Sequence, residues 1–150
     1  MCGIAGVLNL REAPPPSLET GQAMLAMIRH RGPDGFGIYR DPDVLLGNAR
    51  LSIVDLAGGD QPISNEDGSV WIVFNGEIFN YVELRAELER LGHRFYTHSD
   101  TEVIVHLYDR YGDDFVQHLN GQFAIAVWDS EHQRLVLARD RAGIRPLFHT

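Results

Sequence analysis

Cysteine is all but missing from this sequence. Cys2 is the single example in 150 residues, so no internal disulfide can form and nothing demands an oxidising compartment. Basic residues are also short: 13 Lys and Arg stand against 21 Asp and Glu, a formal net charge of −8. That balance argues against nucleic acid and against anionic membrane surfaces as partners. Long apolar runs are absent too. The longest, "VWIVF" and "FAIAVW", have strand length and fall far below a membrane span. The start has no basic n-region, and its apolar stretch "CGIAGVL" is too short and too glycine-broken for a signal core. A cytoplasmic protein with no membrane partner is expected. The glycine-rich "GPDGFG" lacks the Gly-Lys-Ser/Thr ending of a phosphate loop. Seven histidines include His93 and His98, near Asp100 in "HRFYTHSD", but none has a metal-motif spacing, and no metal site is expected.

What remains is ordinary globular material. Hydrophobic residues make up 44% and charged residues 23%, which fits one domain with a core and no disordered tract. "CGIAGVL" reads as a short buried strand. "APPP" breaks the chain, and Ser17 caps a helix to about Ile28 that carries Leu18, Met24 and Leu25. "RHRGPDGFG" reads as a loop, "VLLGNARLSIVDL" as strand-rich, and "VWIVFN" as a strong strand. "NYVELRAELERLG" is a helix with Asn80 and Glu83 in a capping-box arrangement, a Leu84, Leu88 and Leu91 stripe, and Gly92 at its end. "SDTEVIVHLYDRYG" repeats the plan with Ser99, Glu102 and Gly112. "GQFAIAVWD" and "RLVLARD" form a hairpin around "SEHQ", and "GIRPLFHT" leads toward a further strand. Strands, then two adjacent helices, then strands again favour α+β layering over a doubly wound sheet.

The place of Cys2 carries the chemistry. If Met1 is removed, the thiol shares its residue with a free α-amine. An α-amine titrates near 7.7–8.0 and a free thiol near 8.5, so the amine can take the thiol proton near neutrality without a histidine. Such a nucleophile suits attack on an amide or ester carbonyl. The tetrahedral oxyanion that follows needs pre-placed donors. Asn75 and Gly76 in "FNGEIFNY" offer a side-chain amide and an accessible N–H, although Asn-Gly is also the strongest short hairpin signal. An amino-acid substrate would further need an arginine for its carboxylate and acids for its ammonium. Arg50, Glu77 and Asp100 are candidates, each with a plain surface or helix-end alternative.

Five stretches together go beyond composition: "MCGIAGVLNL", "RHRGPDGFGIY", "ARLSIVDLAGGDQPI", "VFNGEIFNYVELRAELERLGHRFYTHSDTEVIVHLYDRYG" and "LNGQFAIAVWDSEHQRLVLARDRAGIRPLF". They resemble the glutaminase domain, a class II glutamine amidotransferase domain, of glutamine-dependent asparagine synthetases. The resemblance covers nearly the whole chain. It implies an N-terminal-nucleophile hydrolase fold, a four-layer αββα sandwich, here C-terminally incomplete and separated from its synthetase domain. It implies Cys2 as nucleophile and, through its α-amine, base. Asn75 and Gly76 would form the oxyanion hole and touch substrate. Arg50 would hold the glutamine carboxylate, Glu77 and Asp100 its ammonium group, and Ile53 or Val54 (Val54 preferred) would supply a main-chain contact. "GPDGFG" would belong to a flexible loop over the site. The implied reaction is L-glutamine plus water giving glutamate and ammonia through a γ-glutamyl thioester. No cofactor is implied in this domain, with ATP and Mg²⁺ confined to the synthetase domain. The implied partners are L-glutamine and that C-terminal domain, and a homodimer is one assembly to expect. Two alternatives stay open: a module serving another acceptor, and a catalytically silent glutamine-binding module.

Overall fold

In the computed structural model, which describes residues 2–10 and 13–150, the chain folds into two antiparallel sheets stacked between helices. Met1, on whose removal the α-amine chemistry turns, lies outside the described residues. The first sheet has the order β1–β3–β2, from β1 (Gly3–Leu8), β2 (Gly35–Arg40) and β3 (Val44–Arg50). The second has the order β4–β5–β6–β7, from β4 (Ile63–Ser64), β5 (Val70–Ile78), β6 (Gly121–Asp129) and β7 (Arg134–Arg139). In sequence, α1 (Leu18–Met27) falls between β1 and β2, and α2 (Tyr81–Arg90) and α3 (Asp100–Tyr111) fall between β5 and β6.

Side-chain alternation explains the layering. On β3, Val44 and Leu46 face the second sheet, where they meet Val73 of β5 and Ala126 and Trp128 of β6. Leu45 turns the other way, against Gly21 of α1, and Leu25 of α1 packs over Gly47. On the second sheet, Ile72, Phe74, Ile125 and Val127 face away from the first. They share one core with Leu84 and Leu88 of α2 and with Val103, Ile104 and Leu107 of α3. The order is therefore α1, first sheet, second sheet, α2 with α3: the expected αββα sandwich. Trp128, 1% exposed, also ties the sheets together through its Nε1–H, which donates to Asp41 Oδ2 (2.6 Å) in the β2–β3 turn. No helix among the described residues is long and apolar enough to cross a membrane.

The local expectations are met unevenly. Ser17 caps α1, its Oγ accepting from Thr20 N–H at 3.1 Å, and the β6–β7 hairpin turns at Ser130–Gln133 as expected. Asn80 does not close a capping box. Its carboxamide instead bridges to the segment before β6, accepting from Asn120 N–H and donating to the His118 carbonyl. Glu102 also leaves its expected box, since Tyr96 N–H, Thr97 N–H and the Thr97 hydroxyl all donate to its buried carboxylate. Leu91 is half exposed and lies off the α2 stripe. "GPDGFG" is no flexible loop throughout, because Gly35–Gly37 already belong to β2. A Cβ on Gly37 would run into the Gln61 carbonyl oxygen, so close packing requires that glycine. Residues 140–150 form no strand, and Phe148 stands 90% exposed. Pro146 there has no N–H to give a ladder.

Candidate active site

β5 is the element on which the site is built. The Phe79 N–H donates to the Asn120 carbonyl, so the odd-numbered residues of β5 bond to β6 and the even-numbered ones point their backbone groups away from it. β4 covers that outer edge only opposite Ile72 and Trp71. Beyond β4, side chains take its place. Phe74 N–H donates to Gln61 Oε1 (2.6 Å), and Ile78 N–H donates to Asp100 Oδ2 (3.0 Å). Gly76 lies between them with the same outward orientation. Among the described residues, no side chain accepts from its N–H. A Cβ at Gly76 would strike the Gln122 carbonyl oxygen across the β5–β6 ladder, so only glycine fits where this N–H is presented. The Asn75–Gly76 pair is therefore not a hairpin turn. It runs through a continuous strand, paired with Ala124 and Phe123.

That edge opens on a cavity of about 140 Å³. Cys2, Arg50, Ile53, Val54, Gly76, Glu77 and Asp100 all line it, drawn from positions as far apart in sequence as 2 and 100. Cys2 stands at the head of β1, half-buried. Leu51 N–H points at its Sγ from 3.4 Å, and the thiol faces the Leu51 carbonyl at 3.6 Å. Asn75 is the exception. Its side chain is buried between the sheets, outside the cavity lining, and its Oδ1 has no hydrogen-bond partner. An unpartnered buried acceptor is costly, and it takes a donor, not an oxyanion, to satisfy this oxygen.

Arg50 ends β3, 7% exposed. It is more occupied than the sequence suggests. Nη1 meets Asp60 Oδ1 at 2.6 Å, and Nη2 donates to the Asp55 carbonyl at 2.6 Å and the Val54 carbonyl at 3.4 Å. The 51–60 loop is thus wound around the guanidinium. Asp55 fastens the loop in turn, accepting from Gly58 N–H and His98 N–H. The His98 N–H is the main cause holding the Asp55 carboxyl below its ordinary range. The Arg50 side chain is only 9% exposed but lines the cavity, while the Asp60 side chain that engages it is 82% exposed. Asp100 is the first residue of α3 and 5% exposed. Burial pushes its carboxyl above the ordinary range, the Ile78 N–H acts against this, and the nearby Glu77 charge adds to it. Two carboxylates, one of them dehydrated, form a place where an ammonium group is welcome.

Three lining or supporting groups escape sequence reasoning. Gln61 links both sheets and the helical layer of α3, since its Oε1 accepts from both Phe74 N–H and Asn48 Nδ2 and its Nε2 donates to Thr101 Oγ1. Nothing in "GDQPI" announces that role. Asp60 as the partner of Arg50 has no spacing signal either. Arg145 reaches the cavity wall, 8% exposed, with Nε lacking a partner. Here a signal existed. Asp140 accepts from Phe123, Ile144 and Arg145 N–H, and Gly143 turns with φ 66°, the Asp-x-x-Gly mark of a built turn. Burial opposes the Asp140 charge, but these N–H donors outweigh it and hold the carboxyl below its ordinary range.

The profile of one family, described as a glutamine amidotransferase domain, matches residues 1–150. The chain belongs to that family. This glutamine amidotransferase domain is 48% identical to asparagine synthetase [glutamine-hydrolyzing] 2 of Bacillus subtilis (strain 168), over 100% of the chain and 20% of the relative. It is 45% identical to asparagine synthetase [glutamine-hydrolyzing] 1 of the same organism, over 100% of the chain and 24% of the relative. A probable asparagine synthetase [glutamine-hydrolyzing] of Dictyostelium discoideum is 44% identical over 99% and 27%. The chain thus spans a fifth to about a quarter of these relatives' length. Among solved structures, an allosteric regulatory enzyme of purine biosynthesis shares the fold, with a TM-score of 0.77 at 24% identity over 97% of the chain and 38% of that protein. A glutamine phosphoribosylpyrophosphate amidotransferase from B. subtilis aligns with a TM-score of 0.58 at 28% identity, over 71% of the chain and 25% of its own.

Gly76→Ala in the amidotransferase domain tests the strand-edge argument. The added methyl group must push β5 from β6 or tilt the N–H away from the cavity. The variant is expected to lose stability by about 1–3 kcal/mol, as overpacked sites do, and glutaminase turnover by at least about tenfold. Denaturant melts and ammonia assays read the two effects. Wild-type values in both would refute the close-approach reading.

Proposed function

We propose that this domain hydrolyses L-glutamine to glutamate and ammonia through a thioester on Cys2. With Met1 removed, the Cys2 α-amine takes the thiol proton, directly or through one water. The sulfur adds to the side-chain amide carbon of glutamine, and the carbonyl π pair moves to oxygen. Gly76 N–H receives that oxyanion, and the Asn75 carboxamide joins it only by turning its Nδ2–H₂ from the sheet interface toward the cavity. The α-amine returns its proton to the leaving nitrogen, the C–N bond breaks, and ammonia departs. Water then adds to the thioester as the α-amine takes its proton, the C–S bond breaks, Cys2 leaves as thiolate and recovers that proton, and glutamate is released.

Arg50 holds the substrate α-carboxylate, in competition with Asp60. Glu77 and Asp100 hold the α-ammonium, and Val54 contributes its main chain. The single observation that carries this reading is the unclaimed Gly76 N–H. It is fixed between two capped neighbours on the wall of the cavity that also holds Cys2. None of these steps calls for a cofactor. In a longer protein the ammonia would serve a C-terminal synthetase domain, where ATP with Mg²⁺ activates aspartate for asparagine synthesis. Names and lengths of the relatives support that extension.

Intact mass before and after exposure to 6-diazo-5-oxo-norleucine, a glutamine-shaped electrophile that loses N₂ on alkylation, tests the proposal. A mass lacking Met1 and one adduct mapped to Cys2 are expected. A chain without Met1 that forms no adduct would sink the assignment of Cys2.

A further inference from the structure

A second cluster lies away from the glutamine cavity, on the other stretch of α3. Glu66 from the β4–β5 turn, His93 from the segment after α2, and His106 and Asp109 from α3 bring one potential ligand atom each to within 4.8 Å of one another. His106 is fully buried, and among the described residues neither ring nitrogen has a partner in good hydrogen-bond geometry, the nearest being the Glu66 and Glu102 carboxylates at 3.5 and 3.6 Å. A buried imidazole always carries at least one donor or acceptor that needs satisfying, so this orphaned ring calls for an explanation. Its Nδ1 faces Glu66 Oε2 at 3.5 Å, and His93 Nδ1 faces Glu66 Oε1 at 3.8 Å. Those distances are long for hydrogen bonds. The first matches the edge of a tetrahedron, about 3.3–3.6 Å, drawn by donors some 2.0–2.2 Å from a common ion; the second runs to the other Glu66 oxygen and has to shorten for His93 to share that ion.

We propose that Glu66, His93, His106 and Asp109 bind one divalent transition-metal ion of the zinc class. Two imidazoles and two carboxylates make an N₂O₂ set that favours Zn²⁺ over Mg²⁺ or Ca²⁺, which prefer all-oxygen ligands. Four protein ligands leave no open position, the mark of a structural site rather than a catalytic one. The surroundings fit. Asn65 Nδ2 donates to Asp109 Oδ1 at 3.0 Å and Arg94 N–H to Glu66 Oε1 at 3.0 Å, which orients both carboxylates. On the far side of the ring, His106 Nε2 faces the buried Glu102 carboxylate at 3.6 Å, the position of the outer carboxylate in carboxylate–histidine–metal arrangements. Glu66 and Asp109 are exposed enough to swing inward and close the wider separations.

The site would clip three segments together: the β4–β5 turn, the α2–α3 connection and the middle of α3. His106 follows Asp100 by six residues on one helix, about 9 Å along its axis. The clip would therefore fix the helix whose first residue faces the glutamine cavity. The linear spacing 66, 93, 106, 109 matches no metal motif, which is why the sequence alone predicts none.

Zinc titration of the untagged, chelator-treated 150-residue chain tests this, followed by calorimetry and by metal analysis after dialysis. The Cys2→Ala background is used throughout, because an N-terminal aminothiol is itself a zinc chelate. One Zn²⁺ per chain is expected. His93→Ala and Asp109→Ala should each weaken binding at least tenfold with the far-ultraviolet circular dichroism unchanged, and His149→Ala, an exposed histidine elsewhere, should not. Cobalt substitution should give the intense visible bands of a tetrahedral site, lost in His93→Ala. His106→Ala is not the deciding variant, since a fully buried ring can fail for packing alone. Absence of stoichiometric zinc, or equal binding by His93→Ala and its parent, would overturn the proposal.

Discussion

Cys2→Ala is expected to lower ammonia release from glutamine by at least 10⁴-fold while glutamine still binds. The figure corresponds to roughly 5.5 kcal/mol on the barrier, the scale at which other enzymes lose their nucleophile. The reason lies in how the cavity divides its labour. In the proposed reading Arg50, Glu77 and Asp100 meet the amino-acid head, and they should keep their positions in the variant, because none of them hydrogen-bonds to Sγ. Among the described residues the thiol makes two polar contacts, both to the backbone of Leu51, at 3.4 and 3.6 Å, and an alanine methyl group forfeits those. Stability should therefore change by less than about 1 kcal/mol. Calorimetric titration with glutamine, beside an ammonia assay, separates the two properties. Retained turnover would remove the thiol from the mechanism. Lost affinity in a folded variant would mean that the cavity recognises glutamine mainly through sulfur.

Arg50→Ala should instead raise the glutamine KM by about 10- to 100-fold and leave thioester breakdown nearly unchanged. Hydrogen bonds to charged groups contribute roughly 1.5–3 kcal/mol, which sets that range. The lower half of it is favoured, because the arginine already has a partner. Substrate carboxylate must share the guanidinium with Asp60, at 2.6 Å, so part of the gain on binding is an exchange of one carboxylate for another. The Asp60 side chain is largely in water, where such pairs contribute about 1 kcal/mol or less, so the exchange runs in favour of a substrate held on several sides. The loop around Arg50 would also loosen, since the Asp55 and Val54 carbonyls lose their donor. Steady-state kinetics with single-turnover measurement of thioester decay would check this. An unchanged KM would exclude Arg50 from carboxylate binding.

Much of this arrangement could be read from the sequence, and the limits have physical reasons. The periodic helices were legible because their buried stripes repeat at helical spacing, as with Leu84 and Leu88 or Val103, Ile104 and Leu107. The layering was legible from the order of elements. Of the candidate residues, Cys2, Arg50, Val54, Gly76, Glu77 and Asp100 line one cavity, whereas Asn75 faces the sheet interface, outside the lining. Cap identities were less secure. Ser, Asn and Glu side chains bond to whichever backbone group comes near, and for Asn80 and Glu102 that group belongs to another segment. The glycines of "GPDGFG" suggest mobility to a reader of sequence, yet Gly37 answers to the Gln61 carbonyl across the fold. Gln61, Asp60 and the Glu66–His93–His106–Asp109 cluster depend wholly on which loops meet, and no local pattern encodes that.

The threading of Asn75–Gly76 through an extended strand also bears on how the molecule ages. In loops, an asparagine followed by glycine is the pair most prone to lose its amide, because the glycine nitrogen can swing onto the side-chain carbonyl carbon and close a five-membered ring. Here β6 holds both residues extended by pairing on one edge, and the carboxamide is packed between two sheets. Ring closure would require β5 to peel away first. The dipeptide that the reading places at the centre of the chemistry is, by its position, shielded from the spontaneous reaction that would turn Asn75 into an acid and set a negative charge between the two sheets, directly behind the Gly76 N–H.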